Sequence, residues 1–348
     1  MDFATLKDAE LKWLDGSGPW AAEVVSSRVR LARNLRGHRF PHNSPTSELT
    51  AIREEICRKV KGRKTFTSGC CLLLKECSPG QRSFLLERHL ASPDIIRHFQ
   101  HSALLISADV SRVVMVNEED HLRAQVFRAG FDPVGVCHDA LDLDDEMEED
   151  LEYAFSEDWG YLTACPTNVG TGFRLSVLVH LPGLVLTNEI DKILNSLRQL
   201  QFSVRGLFGE GSAVQGALFQ ISNLGTLGRS EEDLTDDFSH HVSKVLQYEK
   251  LSREKLLEKD GDGIRDIVHR SHAIMRAAHV VTSREAFDRL SDIRMGVSLG
   301  ILPDIPMGAL NRALVEMQPA HIQVRAGRLV KGRERAAIRA AYFRAIFA

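Results

Sequence analysis

The sequence predicts an α+β protein that ends in a helical domain. Three observations carry this expectation. Short β-prone runs recur between Val24 and Ser222, helical periodicity takes over after about residue 235, and 348 residues leave room for about two domains with cores of their own.

Residues 1–20 are polar, are broken at Gly16-Ser17-Gly18-Pro19, and read as a lead-in. From Val24 to Asn34 the alternation of a strand puts Ser26, Arg28 and Arg30 on one face and Val29 and Leu31 on the other. Two arginines at that spacing make a fork for an anion. A helix after Ser47 stripes Leu49, Ile52, Ile56 and Val60 toward a core. A second helical stretch runs from Arg82 to His89, where a lone histidine is more often structural than a ligand contact. The buried-strand run Val113-Val114-Met115-Val116 then delivers the chain into Asn117-Glu118-Glu119-Asp120-His121-Leu122-Arg123. Continued extension would place Glu119, His121, Arg123 and Gln125 on one face, whereas a solvated charged loop explains the same residues taken alone.

Between Asp142 and Glu152, Leu143, Met147 and Leu151 recur every four residues, which suits an amphipathic helix better than a metal site. Gly160 to Gly172 reads as a strand entering a glycine-bearing turn. Phe173 to His180 alternates, with Arg174 and Ser176 opposite Phe173, Leu175, Val177 and Val179. Val204 to Ser212 is a glycine-rich loop with one cation and one carboxylate, followed by a strand-like run from Ala217 to Ser222. Neither a Gly-Lys-[Ser/Thr] step nor GxGxxG accompanies these glycines, so no P-loop or dinucleotide fingerprint is present. Thr282-Ser283-Arg284-Glu285 reads as a capping box opening a helix with Phe287, Leu290, Ile293 and Val297 inward. Another helix starts near Pro306, buries Leu310, Leu314 and Met317, and stops before Pro319. The basic run from Arg325 to Arg344 is either a solvated helix face or an anion receptor.

A net charge of -3 gives no long-range attraction to nucleic acid or anionic membrane, so a nucleic-acid partner would rest on the basic tail alone. No basic-then-apolar leader opens the chain and no apolar run is long enough to span a bilayer, which predicts a cytoplasmic protein. Six cysteines without CxxC predict reduced thiols and no zinc framework.

Five segments stand in an order that resembles the phosphagen kinase superfamily, which includes creatine and arginine kinases, and most closely its bacterial branch, the protein arginine kinases. They are Ser26-Ser27-Arg28-Val29-Arg30, Asn117 to Arg123, Cys165-Pro166-Thr167-Asn168-Val169-Gly170-Thr171-Gly172, Arg174-Leu175-Ser176-Val177, and Arg205-Gly206-Leu207-Phe208-Gly209-Glu210. The ordered set is far more specific than any one motif. It implies a glutamine-synthetase-type antiparallel sheet flanked by helices with ATP on its open face. The implied domains are a lead-in over 1–21, a catalytic domain over 22–252 and a helical C-terminal domain over 253–348.

The resemblance also implies site residues. ATP would meet Ser26, Ser27, Arg28, Val29, Arg30, His89, Arg123, Arg174, Leu175, Ser176, Val177, Leu178, Arg205, Gly206, Leu207, Phe208, Gly209 and Glu210, with the arginines on the phosphates. Planar guanidinium forks match phosphate oxygens better than ammonium groups do. Mg2+ would bridge the phosphates, with Glu118 reaching it through water. The acceptor, a guanidinium with a pKa above about 12, needs orienting and deprotonating, which carboxylates can do. Glu119 is the implied main base, Glu210 the second clamp and Cys165 a supporting thiol.

In this branch the acceptor is an arginine side chain of a protein. Only 25 residues precede Ser26, too few for the helical domain with which small-guanidine kinases close over their substrate. The implied partners are stress-response repressors and unfolded proteins as clients, an activating zinc-binding protein, a Clp-type protease and a second copy in a homodimer. The branch marks a phosphoarginine pocket with Arg-Asp-x-x-Arg-Ala; here Arg335 and Arg339 keep the i, i+4 spacing but Ala336 replaces the aspartate. Two alternatives stay open, a kinase for a free small guanidine and a phosphoarginine-binding adaptor without activity.

Overall fold

The computed structural model describes residues 3–206 and 215–348. Its centre is an eight-stranded sheet with every neighbouring pair antiparallel. In chain order the strands are β1 (Val24–Arg33), β2 (Cys70–Leu73), β3 (Ala103–Ile106), β4 (Arg112–Val116), β5 (Leu122–Ala129), the small hairpin β6 (Phe155–Ser156) and β7 (Gly160–Tyr161), then β8 (Phe173–His180), β9 (Phe202–Gly206) and β10 (Leu218–Asn223). The large sheet runs β2-β3-β4-β5-β1-β8-β10-β9, and β6 pairs only with β7. The central strand is β1, flanked by β5 and β8, and these three carry most of the arginines singled out in the sequence.

Alternation divides the sheet into two unlike faces. Val29, Leu31, Ala124, Val126, Leu175, Val177 and Ile221 point to one side. There they pack with the helices Thr46–Lys61, Pro133–Glu148, Ile190–Gln199 and Glu231–Lys259. On the other side Leu104, Ile106, Val113, Met115 and Phe127 meet Trp13 and Leu14 of the lead-in and the C-terminal helices through Leu310, Leu314 and Phe343. The C-terminal helices are thus packed against the rest of the chain through a shared core. The helix Glu231–Lys259 runs through position 252 unbroken, and the secondary-structure break comes at Asp260, whose side chain caps the next helix by accepting from Gly263 N. Among the described residues no helix is long and apolar enough to cross a membrane, and the six cysteines are free thiols.

The sequence expectation for Asn117 to Arg123 is corrected by the hairpin. β4 and β5 are joined by a tight turn in which Asn117 N donates to His121 O and Glu118 N to Asp120 O. Asn117 sits at φ 55°, a left-handed conformation that asparagine tolerates better than most residues. Strand alternation therefore begins at Leu122. Arg123 and Gln125 share the expected face, but Glu119 and His121 belong to the turn.

A buried ion pair ties β1 to the helix behind it. Arg33 donates through Nε (3.0 Å) and Nη2 (2.5 Å) to Asp144 Oδ2, and its Nη1 donates to Thr171 O at 2.9 Å. The guanidinium also lies over the Tyr161 ring, 3.5 Å from its centre. Gly172 follows, at φ +62°, and a Cβ there would stand 2.6 Å from Ala32 O, so only glycine lets the loop lie this close to β1. Asp144→Ala should strand a buried guanidinium and cost about 3–5 kcal/mol. Urea unfolding of the two proteins at pH 7 measures this, and the loss should exceed that of Asp139→Ala, whose ion pairs are part-exposed.

Candidate active site

Register brings the cations together. Arg28 lies opposite Ser176 on β8 and Phe127 on β5, and Arg30 opposite Arg174 and Gln125. Arg123 faces the same way two residues along β5 from Gln125. On the far side Ser176 pairs with Ser222, Leu178 with Gln220, and Gln220 with Arg205 on β9, so Arg205 also belongs to this face. Ser26 and Leu178 complete it. Of the implied nucleotide residues, Val29, Leu175 and Val177 carry their side chains to the opposite face and into the core. Ser27 is buried, donates to Gly130 O and accepts from Asp132 N, and so holds the start of the following helix. Leu207, Phe208, Gly209 and Glu210 lie outside the described residues.

The arginines crowd one another. Burial, then Arg123 and Arg174, lower the Arg28 pKa to about 9. Arg30 is held well below the usual guanidinium range by burial and by Arg28, Arg123 and Arg174. Its Nε is buried without a hydrogen-bond partner. Positive charge that repels itself and carries an unused donor favours an anion beside it. Arg174 donates to Ser222 Oγ at 3.0 and 3.2 Å, a contact that the alternation of β10 makes available.

Beside the arginines a narrow cleft is lined by Trp13, Ser26, Arg28, His89, Leu178 and Gln220. His89 follows the helix Pro79–Glu87 at φ 58°, and its carbonyl accepts from Gln125 Nε2 at 2.7 Å. Burial and the nearby Arg28 push its pKa down to about 3, so the ring is neutral and meets the Trp13 indole edge-on. A neutral aromatic wall next to a cationic row suits a ligand that is flat at one end and anionic at the other. Trp13, in the polar lead-in, carries no signal in the sequence.

Among the described residues, the carboxylates nearest this row are those of the turn. Glu118 forms an ion pair with Arg123, accepts from Ser92 Oγ, and accepts from Glu119 N at 3.0 Å. Burial alone would raise its pKa, but Arg123 and these hydrogen bonds outweigh it and hold the carboxyl at about 2. Glu118 is therefore spent on anchoring Arg123. Glu119 is the exposed residue at the tip of the turn. Partial burial of its carboxyl, with Asp120 and Glu118 alongside, raises its pKa above the ordinary value.

Asp120 and His121 fasten this turn to the loop that carries Cys165. Asp120 Oδ1 accepts from Asn34 Nδ2 and from Ala164 N, each at 2.6 Å. Asn34 also donates to Leu162 O and accepts from His121 N. Burial lowers the His121 pKa to about 4. The neutral ring accepts from Leu35 N at Nδ1, which leaves Nε2 to donate to Arg39 O. Cys165 Sγ lies 3.0 Å from Thr167 Oγ1, and Thr226 Oγ1 clamps the loop by donating to Val169 O at 2.7 Å. The bridging role of Asn34 is not readable from its place at the end of a strand.

In the C-terminal domain Arg339 is buried. It donates from Nε to Met317 O and from Nη1 to Val281 O, while its Nη2 is buried without a partner. Burial, then Arg335, lower its pKa to about 10. Arg335 is only partly buried, and Ala336 between them is buried with its carbonyl accepting from Val281 N.

Comparison with known proteins places this geometry. The profile of the ATP:guanido phosphotransferase C-terminal catalytic domain matches residues 51–252, and that of the protein-arginine kinase McsB C-terminal domain matches residues 261–348. The chain is 40% identical to the protein-arginine kinase of Halalkalibacterium halodurans, over 98% of this chain and 96% of that one. It is 42% identical to that of Symbiobacterium thermophilum, over 97% and 96%. Among solved structures, the duplicated taurocyamine kinase of Schistosoma mansoni with bound transition-state-analogue components superposes with a TM-score of 0.60 at 25% identity. That match covers 72% of this chain and 35% of the duplicated one, about a third of its length. Lombricine kinase gives 0.58 at 24% identity, covering 74% and 71%, a likeness of fold.

The Glu118 carboxyl has a folded pKa of about 2 against an ordinary 4.5, so its contribution to stability is present above about pH 4.5 and lost as pH falls toward 2. Glu118→Gln should lose on the order of 3 kcal/mol at pH 7. The gap from wild type should close between pH 4.5 and 2 in denaturant titrations.

Proposed function

We propose how this site works from one premise: the chain belongs to the ATP:guanido phosphotransferase family, and within it to the protein-arginine kinases. It transfers the γ-phosphoryl group of ATP to the guanidinium of an arginine side chain in a protein. Arg28, Arg30, Arg123, Arg174 and Arg205 hold the phosphates, and the cleft beside His89 and Leu178 takes the adenine end. The observation that carries this reading is the row of mutually repelling arginines on one sheet face, adjoining a turn whose exposed residue is a carboxylate.

A guanidinium nitrogen of the acceptor attacks the γ-phosphorus in line, the bond to the ADP oxygen breaks, and the proton on the attacking nitrogen passes to Glu119. Transfer of that proton is uphill until the N–P bond begins to form and the nitrogen becomes acidic, so Glu119 must already be hydrogen-bonded to it. A raised carboxyl pKa makes Glu119 the stronger base. Glu210 completes the clamp on the acceptor, and Cys165 orients it from the loop tied to the turn. Mg2+ would supply neutralisation of phosphate charge, with Glu118 reaching it through water. Glu118, held by Arg123 and Ser92, also positions Arg123.

In the cell this activity marks client proteins for a Clp-type protease during stress, in the cytoplasm, under an activating zinc-binding partner and as a homodimer. Phosphoarginine regulation through Arg335 and Arg339 is weakened by Ala336, which leaves the guanidinium end of the ligand without its carboxylate.

Glu119→Ala should lower protein arginine phosphorylation by about 100-fold or more, while ATP affinity stays within about threefold of wild type. Incubation with ATP, Mg2+ and either unfolded protein or free arginine, scored as acid-labile phosphate, checks both activity and acceptor. Phosphate on free arginine but not on protein, or an active Glu119→Ala enzyme, would refute the assignment.

A further inference from the structure

Large apolar side chains are exposed around the loop that carries Cys165. Phe155 and Trp159 are each 57% exposed, Leu227 53% and Leu224 42%. They come from two segments that the backbone presses against that loop. The β6–β7 hairpin bears Phe155 and Trp159, and the Phe155 ring meets Tyr161 edge-on with centres 5.2 Å apart. Tyr161 N donates to Gly170 O, and a Cβ on Gly160 would lie 2.6 Å from that same oxygen. On the other side a Cβ on Gly170, at φ +109°, would lie 2.7 Å from Thr226 O and 2.9 Å from Leu227 Cα. The hairpin, the Cys165 loop and the 224–227 turn are thus one surface. Through Asp120 and Ala164 it is one hydrogen bond from the turn of Glu119.

Exposed carboxylates share this surface. Glu157 and Asp158 lie between Phe155 and Trp159, and neither is paired with a cation among the described residues. An apolar patch with unneutralised acidic residues beside an arginine-accepting site fits a partner with the complementary pattern. A folded client keeps most of its large apolar side chains inside, whereas an extended segment offers them on both sides of an arginine.

We propose that Phe155, Trp159, Leu224 and Leu227, with Glu157 and Asp158, form a docking surface for an extended polypeptide segment in which apolar and basic residues flank the arginine to be phosphorylated. The proposal rests on the protein-arginine kinase reading and adds to it a local sequence preference. Apolar neighbours of the target arginine bury against Phe155 and Trp159, and basic neighbours meet Glu157 and Asp158.

The test uses the full-length enzyme, ATP, Mg2+ and two single-arginine peptides that differ only in carrying leucine and phenylalanine, or serine, beside the arginine. Wild type should favour the apolar peptide by about tenfold in kcat/KM, mostly through KM. The double variants Phe155→Ser/Trp159→Ser and Leu224→Ser/Leu227→Ser should each erase most of that preference, leaving the serine peptide and the KM for ATP unchanged as internal checks on folding. On a further pair of peptides with lysine or glutamate beside the arginine, wild type should favour lysine and Glu157→Lys/Asp158→Lys should reverse that preference. Equal rates on both peptides by wild type, or a preference retained in both double variants, overturns the docking surface and leaves the catalytic reading intact. A variant that changes the oligomeric state while keeping the peptide preference also overturns it, and assigns the patch to a second copy of the chain. Failure of wild type on both peptides defeats the catalytic reading and the surface together.

Discussion

Like charges on one face of one sheet are the constraint that the rest of this structure answers. Neighbouring side chains across antiparallel strands lie about 5 Å apart, where two cations repel by a few kcal/mol at the effective dielectric of a partly buried site. Arg30 and Arg174 are such a pair, Arg28 and Arg123 stand one diagonal away from them, and the depressed pKa values of Arg28 and Arg30 express the crowding. A row of carboxylates interleaved with them would relieve the repulsion and abolish the anion site. The protein instead places one buried carboxylate, Glu118, at the edge of the row against Arg123, and surrounds the rest with neutral partners such as Ser176, Ser222, Gln125 and an uncharged His89. Most of the positive charge is thus left without a carboxylate beside it among the described residues.

Donor and acceptor ends of the reaction must be held at a fixed separation, because in phosphoryl transfer positioning does most of the catalytic work. A single turn connects them. Its last residues lead into Arg123 on the sheet, and its tip presents Glu119. Asp120 and His121, which point away from the reaction, lock the turn to β1 and to the Cys165 loop through Asn34, Leu35 and Ala164. The residues around Glu119 are buried and hydrogen-bonded while Glu119 itself is exposed. That is how an exposed carboxylate keeps a defined position.

What the sequence discloses follows the range of the forces involved. Period-two alternation is local, so the shared face of Arg28 and Arg30, and of Arg174 and Ser176, is legible from the residue order alone. The family resemblance extends that row to Arg123 and Arg205 and supplies the sheet type. Alternation fails at Glu119 and His121 because a left-handed Asn117 turns the chain where charged residues give no sign of it. A motif treated as a unit also assigns Val29, Leu175 and Val177 to the nucleotide, although every second residue of a strand must face the core. Trp13, Asn34 and Ser222 carry no local mark, since their roles depend on partners far along the chain. The same holds for Arg339, whose bonds to Val281 O and Met317 O join segments that its helix position does not reveal.

The junction between the sheet and the C-terminal helices uses charge differently. Arg253, on the helix that leaves the catalytic domain, donates to Glu249 Oε1 at 2.5 Å, to Ser298 Oγ at 2.7 Å and to His180 O at 2.8 Å. Glu249 in turn accepts from the backbone of Gly183 and Leu184. Arg294 donates to Ala21 O at 2.6 Å and pairs with Asn311. Burying such groups returns little net stability, because their desolvation offsets the attraction. An apolar contact of the same area would tolerate sliding, whereas these groups have partners at one relative placement only and each is costly to leave unpaired. The network therefore fixes where the C-terminal helices sit on β8, the strand that carries Arg174. Any signal that displaced those helices would have to break buried charge contacts at His180, on the same strand as Arg174.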